Sequence, residues 1–193
     1  MSTTDNLEMK ILSALNLECQ EIINMDAFID KICIFGKFWN VSDCNESPRS
    51  LFVFGDNDVQ KGCGGQAVIR HCQNAIGIPT KKYPSNHSDS FYTDNEYEQN
   101  CQKISAVVEL IIIESKKYDE IIFPSDGFGT GLAKLATCSP KTLKFINDII
   151  AMCFGVEYEN IKKTGLQVTL NYAKIDSTKV DMSKIDGSKL LSA

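Results

Sequence analysis

Two short apolar segments, each followed directly by a glycine-rich loop, constrain this chain most strongly. Residues 50–54 read Ser-Leu-Phe-Val-Phe and stop at Gly55, and residues 120–123 read Glu-Ile-Ile-Phe and precede a loop that carries Gly127, Gly129 and Gly131. Short runs of this kind predict buried β-strands. Because ligands in parallel sheets bind at the carboxyl ends of the strands, we expect both loops to open onto one edge of the sheet.

Helical patterns lie between the predicted strands. Thr93 and Glu96 are spaced as a capping box for a long helix that runs to about Lys117, and Ser139-Pro140 predicts the start of a helix that ends before Gly155. Further strands are predicted at residues 33–35, 75–79 and 166–172, a short helix at residues 65–72, and an N-terminal helix from about residue 5. Strands that alternate with helices of this length predict an α/β fold, with a largely parallel or mixed central sheet flanked by helices.

The length of 193 residues suits one domain with two arms. We assign residues 1–49 to an N-terminal extension of helices and a strand packed on the domain, residues 50–172 to the ligand-binding core, and residues 173–193 to a flexible tail. The tail repeats a Lys-apolar-Asp pattern every five residues, at Lys174, Lys179 and Lys184. A period of five fits neither helix nor strand, and a partner-binding or export-signal role stays open.

Charge and composition indicate which classes of partner and which cellular compartment fit this chain. The net charge of −5 argues against a nucleic-acid-binding protein, which needs clustered lysine and arginine, although backbone N–H groups can still hold a small phosphate. The eight cysteines show no C-x-x-C spacing and lie mostly in apolar surroundings, which favours free thiols in a reducing, cytoplasmic compartment over disulfides or a metal site. The N-terminus lacks the pattern of a signal peptide. The most apolar run, residues 106–113, is too short to span a bilayer.

The first glycine-rich loop offers polar side chains and accessible backbone to a ligand. Its glycines permit positive φ angles and a close approach of the ligand, and a helix that began at Gly65 would present free N–H groups to a phosphate. Asp56 and Asn57 precede the loop, where they can hold ribose hydroxyls or an adenine edge; alternatively, they only form a turn. Cys63 is either a nucleophile or a small packed thiol. The candidate binding residues are Gly55, Asp58, Gly62, Cys63, Gly64, Gly65 and Gln66.

The second glycine-rich loop, Asp126-Gly-Phe-Gly-Thr-Gly131, is a candidate anion cradle. Its glycine spacing matches neither a Walker A loop nor a dinucleotide fingerprint. We expect Asp126 to face the ligand, and Phe128 either to stack on the ligand or to fold onto the protein. An ordinary mobile loop is the alternative. The candidate binding residues are Ser125, Gly127, Phe128, Gly129, Thr130 and Gly131.

The two motifs in this order resemble the macrodomain family of ADP-ribose-binding and ADP-ribosyl-hydrolysing proteins. Asp56-Asn57, Gly64-Gly-Gln-Ala67 and Asp126-Gly-x-Gly-Thr-Gly131 carry the resemblance, which covers residues 50–154. The chain is similar above all to a divergent macro-like group of phage and bacterial proteins that includes an arginine-specific ADP-ribosylhydrolase acting as a bacterial effector. The family's usual Asn-Ala-Ala-Asn is absent, and Gln66 stands where other members often have small or acidic residues. The resemblance therefore supports the ligand class better than the reaction.

This resemblance implies a three-layer macro-like fold that binds ADP-ribose or an ADP-ribosylated protein. The sequence shows no set of metal ligands, which favours chemistry without a metal or a cofactor. An enzyme of this kind cleaves the glycosidic bond at C1″ of the distal ribose through an oxocarbenium-like state, in which a carboxylate activates water or stabilises charge. The candidate catalytic residues are Asp126 first, Asp56 second and Asp58 third, with Asn57 orienting the ribose. A binder without catalysis is the second interpretation, and a structural or partner-binding protein is the third.

Overall fold

The structure is a computed structural model that describes residues 31–36 and 38–158. Its strands are β1 (Ile32–Phe35), β2 (Ser50–Asn57), β3 (Ala75–Lys81) and β4 (Glu120–Pro124). They form one sheet in the order β1-β4-β2-β3, and every pairing between them is parallel. β2 lies inside the sheet between β4 and β3, so the chain leaves β2 at the middle of the carboxyl edge.

The predicted strands at residues 33–35, 50–54, 75–79 and 120–123 are confirmed. Residues 51–54 are buried because β2 is covered on both faces, which explains why this segment is apolar throughout. Gly55 does not stop the strand, contrary to the sequence prediction. β2 continues to Asp56 and Asn57, where its register against β3 shifts.

The helices are α1 (Val41–Glu46), α2 (Tyr97–Ser115), α3 (Leu135–Cys138) and α4 (Pro140–Phe154), with short 3-10 helices at Gly65–Ile69, Ser88–Ser90 and Asp94–Glu96. The prediction for α4 is confirmed, with Pro140 in the first turn and Gly155 closing the helix at a φ of 69°. Sequence reasoning missed α1, although Asn40 and Asp43 form a capping box at its start.

Two helix predictions were wrong in detail. The segment predicted as a helix at residues 65–72 is a 3-10 helix of five residues. The predicted capping box before α2 forms only in part. The Thr93 hydroxyl donates to the Glu96 carboxylate (2.9 Å) and makes no hydrogen bond to the backbone of the first turn, whereas the Glu96 carboxylate accepts from the Thr93 backbone and from the Lys82 ammonium (2.8 Å). The Thr93 side chain therefore does not cap the helix, and the Glu96 carboxylate also pairs with Lys82, which follows β3.

Alternate residues of β2 point into two different cores. Leu51 and Val53 pack with α2 and α4 on one face of the sheet. Phe52 and Phe54 pack on the other face with Trp39 and with the 3-10 helix Gly65–Ile69. The sheet thus lies between two covering layers, and the α/β fold with flanking helices is confirmed. Its macro-like character stays a prediction.

Several sequence predictions lie outside the described residues: the helix near residue 5, the strand at residues 166–172 and the tail at residues 173–193. The proposed domain boundaries stay predictions; β1 and α1 lie before residue 50 and add a strand to the sheet and a helix to its cover. The described cysteines, from Cys33 to Cys153, are all free. In the described ranges no helix has the length and apolar character needed to cross a membrane.

Candidate functional site

A cavity of about 480 Å³ lies at the carboxyl ends of β2 and β3. Its walls include the first loop (residues 58–64) and the second loop (residues 125–134), so the prediction that both loops open onto one edge is confirmed. Small-ligand sites typically enclose roughly 300–1,000 Å³. The predicted site residues that line the cavity are Gly55, Asp56, Asn57, Gly62, Gly64, Gly65, Gln66, Asp126, Gly129, Thr130 and Gly131.

Asp56 lies on the cavity wall as half of a buried ion pair with Arg70. The side chains of Asp56 and Arg70 are 5% and 7% exposed. Nε of Arg70 donates to both carboxylate oxygens, at 3.1 and 3.0 Å, and Nη2 donates to Oδ1. This hydrogen bonding raises the pKa of the Arg70 guanidinium. Gly77 makes room for the pair, since a Cβ there would lie 2.6 Å from the Cβ of Asp56.

Asn57 shapes the first loop with its side chain. Its Nδ2 donates to the Lys61 carbonyl (2.9 Å), and its Oδ1 accepts from the Lys61 backbone N–H (3.2 Å). The amide is thus engaged at both ends in closing a turn, which is the turn-forming alternative considered for this residue. Asn57 therefore belongs to the cavity wall as a residue that closes the turn of the first loop.

Gln66 connects the two loops to the end of β2. Its Oε1 accepts from the Gly55 N–H at 2.8 Å. Its Nε2 donates to Asp126 Oδ1 at 3.0 Å and to the Gly127 carbonyl at 2.8 Å. The Gln66 carbonyl in turn accepts from Trp39 Nε1 at 2.9 Å. Predicted as a ligand contact, Gln66 is also the residue that holds Asp126 at the junction of the loops.

The second loop depends on glycine for its shape. Gly129 has a φ of 68°, and a Cβ there would lie 2.3 Å from Cδ1 of Leu135, so no other residue fits without rearrangement. Thr130 Oγ1 donates to the Asp126 carbonyl at 3.1 Å. These contacts give Asp126, whose side chain is exposed to the cavity, a defined backbone position.

Phe128 folds onto the protein and does not line the cavity. Its ring is fully buried and meets the rings of Phe123 and Tyr158 edge to face, with centroids 6.2 and 5.9 Å apart. The alternative in which Phe128 stacks on a ligand does not fit this position. The neighbouring Gly127 and Ser125 also lie outside the lining.

Asp58 and Cys63 likewise do not line the cavity. Asp58 accepts hydrogen bonds from the Tyr92 hydroxyl and from Lys103 Nζ (2.6 Å), and these partners hold its carboxylate. Cys63 is exposed on the first loop. The third catalytic candidate, Asp58, therefore has a structural position, and the site keeps Asp56 and Asp126 as its carboxylates.

The helix expected at Gly65 cannot act as an anion site through its dipole. It is a 3-10 helix of five residues, and a helix dipole needs several aligned turns. Glycine still matters here, because Gly62 and Gly65 have φ angles of 77° and 60° and bring bare backbone to the cavity wall. An anion at this wall would rely on loop N–H groups and on the nearby side chains.

Lys81 is a buried cation of the cavity wall, although its position in Lys-Lys suggested a solvated surface lysine. Its Nζ donates to the Leu132 carbonyl at 3.0 Å and lies 4.4 Å from the ring centre of Phe91. Burial, and then the charge of Lys134, lowers the pKa of Lys81. Only the fold brings the end of β3 against the second loop, so the sequence pattern gave no sign of this burial.

The electrostatics of the lining differ from those of the whole chain. Three cationic side chains (Lys61, Arg70 and Lys81) face two carboxylates (Asp56 and Asp126), whereas the chain has a net charge of −5. Apolar side chains stand at the mouth: Phe38 is 89% exposed, and Leu132 is also exposed. Within the described part of the chain, no group of three His, Cys, Asp or Glu residues is placed to hold a metal ion.

Comparison with known proteins identifies a family but no characterised relative. A family model described as a family of unknown function (DUF7831) matches residues 34–149, which is more than half of the chain, so the chain belongs to this family. No curated protein and no solved structure matches the chain. The matched range includes both glycine-rich loops and every residue that lines the cavity.

Proposed function

We propose that this member of the DUF7831 family binds an ADP-ribose-like nucleotide in the cavity and hydrolyses the glycosidic bond at C1″ of its distal ribose. The observation that carries the proposal is the meeting of two glycine-rich loops around one cavity, with Asp126 held at their junction by Gln66. The substrate class is an ADP-ribosylated protein side chain, with arginine as the first acceptor to test.

The character of the lining supports an anionic nucleotide. Bare glycine backbone at Gly62, Gly65 and Gly129 allows phosphates to approach N–H groups closely. The excess of cationic over acidic side chains in the lining favours a negative ligand despite the acidic chain. Phe38 adds exposed aromatic surface at the mouth, which suits the face of a base.

Asp126 is the better candidate for the catalytic carboxylate. Both oxygens of Asp56 accept hydrogen bonds from Arg70, so Asp56 is committed to an ion pair. Asp126 Oδ1 accepts from Gln66, and the side chain remains exposed to the cavity. Among the described residues, Asp126 is thus the lining carboxylate that forms no ion pair, which leaves it able to accept a proton.

In the proposed step, the oxygen of a water molecule forms a bond to C1″ while the bond from C1″ to the acceptor atom breaks. Asp126 takes one proton of the water; an arginine acceptor leaves as a neutral guanidine with the bonding electron pair and regains its charge by accepting the proton held on Asp126. The products are free ADP-ribose and the unmodified side chain. Binding of the distant diphosphate by the loops would place the scissile bond at Asp126.

Calorimetric titration of ADP-ribose, with AMP as control, tests the ligand. Release assays on arginine-, serine- and glutamate-linked ADP-ribose then test the reaction. We expect Asp126→Asn to keep ADP-ribose binding and to lose hydrolysis by roughly 100-fold or more, the usual contribution of a general base. Asp89→Asn, at an exposed aspartate outside the lining, is the matched control.

Two results would count against the proposal in different ways. If ADP-ribose at millimolar concentration gives no heat and no thermal shift, the ligand assignment is wrong. If Asp126→Asn hydrolyses the substrate as fast as the wild type, the assignment of the base is wrong.

A binder without catalysis is the second candidate, and the ion pair of Asp56 favours it. With Asp56 engaged by Arg70, a single carboxylate remains for the chemistry among the described lining residues. Tight binding of ADP-ribose with no release from any of the three linkages would select this function. We place either function in a reducing, cytoplasmic compartment, a proposal supported by the free cysteines of the described residues.

A further inference from the structure

One nitrogen of the buried Arg70 guanidinium has no partner. Nε and Nη2 both donate to Asp56, but Nη1 is buried and makes no hydrogen bond with any described residue. The side chain is 93% removed from solvent, being 7% exposed, and it lines the cavity. A buried donor on a charged group normally has an acceptor, and its absence requires an explanation.

The other arginine of the chain does not have a buried nitrogen without a partner. The chain contains two arginines, Arg49 and Arg70. Arg49 also pairs with an aspartate, Asp119, but their side chains are 79% and 55% exposed, so water can satisfy every donor. Arg70 forms the same kind of pair where water has little access, on the wall of a cavity.

Asp56 fixes the direction of the Arg70 guanidinium. A side-on pair through Nε and Nη2 holds the guanidinium plane and leaves the Nη1 edge as the remaining donor edge. Gly77 permits this seating, because any Cβ at that position would overlap Asp56. The ion pair therefore holds the guanidinium in one orientation in which the Nη1 donors stay unpaired.

We propose that Nη1 of Arg70 binds an anionic oxygen of the ligand, a phosphate oxygen in the nucleotide proposed above, and that Asp56 is the positioning residue that holds Arg70 for this purpose. The identity of the nucleotide rests on the proposed function, whereas the recognition of a phosphate does not. Guanidinium groups bind phosphate oxygens by strong charge-assisted hydrogen bonds. The cationic excess of the lining and the bare glycine backbone of the first loop suit the same anion.

Arg70→Lys tests the proposal directly. A lysine ammonium can still pair with Asp56, so the buried carboxylate is not left alone, but the planar Nη1 edge is lost. We expect the affinity for ADP-ribose, ADP and inorganic pyrophosphate to fall roughly 10- to 100-fold, the usual effect of one charge-assisted hydrogen bond. Adenosine, which lacks phosphate, should bind the two proteins equally. Arg49→Lys is the matched control and should bind like the wild type.

Two further measurements distinguish a loss of phosphate binding from a loss of folding. Arg70→Gln combined with Asp56→Asn replaces the ion pair by a neutral amide pair and should also lose phosphate binding. Melting temperatures establish that the variants are folded.

NMR of the ¹⁵N-labelled wild type observes the two arginine Nε signals, and the Arg49→Lys variant shows which signal belongs to which arginine. Pyrophosphate should shift the Arg70 signal and leave the Arg49 signal in place.

The outcomes separate this inference from the proposed function. If the wild type binds ADP-ribose and Arg70→Lys binds it equally well, with no shift of the Arg70 signal, the inference is overturned and the proposed function stands. If pyrophosphate binds through Arg70 but ADP-ribose does not bind, the inference stands and the proposed function fails. If the wild type binds no phosphate compound, both are overturned.

Discussion

Replacing Gln66 by glutamate would keep the size of the side chain but remove its N–H donors. The hydrogen bonds from these donors hold the two loops together. In the wild type the Gln66 amide nitrogen donates to Asp126 Oδ1 and to the Gly127 carbonyl. The opposite atom, Oε1, accepts from the Gly55 N–H, and a carboxylate oxygen can continue to do so. The substitution therefore removes two donated hydrogen bonds and places a negative charge beside Asp126.

The expected loss of unfolding free energy is about 3 kcal/mol. Each hydrogen bond contributes about 1 kcal/mol net, so the two together account for about 2 kcal/mol. The repulsion between two carboxylates about 4 Å apart adds about 1 kcal/mol in surroundings close to water. We use the water-like value because Asp126 is exposed. Gln102→Glu, at an exposed position on α2, should stay within about 0.5 kcal/mol of the wild type.

Urea unfolding followed by tryptophan fluorescence measures this loss at the site itself. Trp39 is the single tryptophan of the chain, and its Nε1 donates to the Gln66 carbonyl. The midpoint of unfolding should fall with an unchanged slope, since a change in slope would indicate a change in the surface exposed on unfolding.

The pH dependence supplies a second check. The introduced carboxylate faces a carbonyl oxygen and a second carboxylate, so its pKa in the folded state should lie above the unfolded value of about 4.3. Protonation then favours the folded state, and the deficit of the variant should shrink as the pH falls from 7 towards about 4. A deficit at pH 7 no larger than that of Gln102→Glu would refute the cross-linking role of Gln66.

Three further perturbations test the loops and the buried groups. Gly129→Ala should destabilise by about 3 kcal/mol in urea unfolding, from its positive φ and its overlap with a neighbouring side chain, whereas Gly131→Ala, which meets nothing within 4 Å, should be nearly neutral. Because the pKa of Lys81 is lowered below 10.5, the unfolded state binds its proton more tightly. The wild type should therefore gain stability relative to Lys81→Met as the pH rises from about 8 to 10, and a constant difference would contradict this burial. In a short iodoacetamide pulse mapped by mass spectrometry, exposed Cys63 should react well before Cys153, whose pKa burial raises to about 12; equal labelling would contradict the assigned positions.

Local patterns predicted the elements that carry the site. The apolar run of residues 50–54 and the run of residues 120–123 predicted β2 and β4, and Pro140 with Gly155 predicted the bounds of α4. These features act within a few residues of chain, because the apolar pattern of a strand and the residues that end a helix belong to the segment itself. The same local reasoning brought both glycine-rich loops to one edge of the sheet, which the cavity confirms.

Local patterns gave wrong predictions where a side chain contacts a residue that is distant along the chain. Thr93 was expected to cap the helix with its hydroxyl, but that hydroxyl donates to the Glu96 carboxylate, which also pairs with Lys82. Phe128 was a candidate for stacking on a ligand but is enclosed by Phe123 and by Tyr158, thirty positions later along the chain. These contacts depend on which surfaces the fold brings together, so the spacing of residues in the sequence does not predict them.

The sequence by itself determined that this protein is an α/β domain with two glycine-rich loops after buried strands, because glycine, proline and apolar runs restrict the backbone locally. Only the tertiary structure decided which polar residues are available to a ligand. It buried Arg70 against Asp56 with one nitrogen unpartnered, and it set Gln66 between β2 and Asp126. The physical reason is that burial removes water as a competing partner. On an extended chain water would solvate the Asp56 carboxylate, but at the buried end of β2 the carboxylate pairs with Arg70 instead.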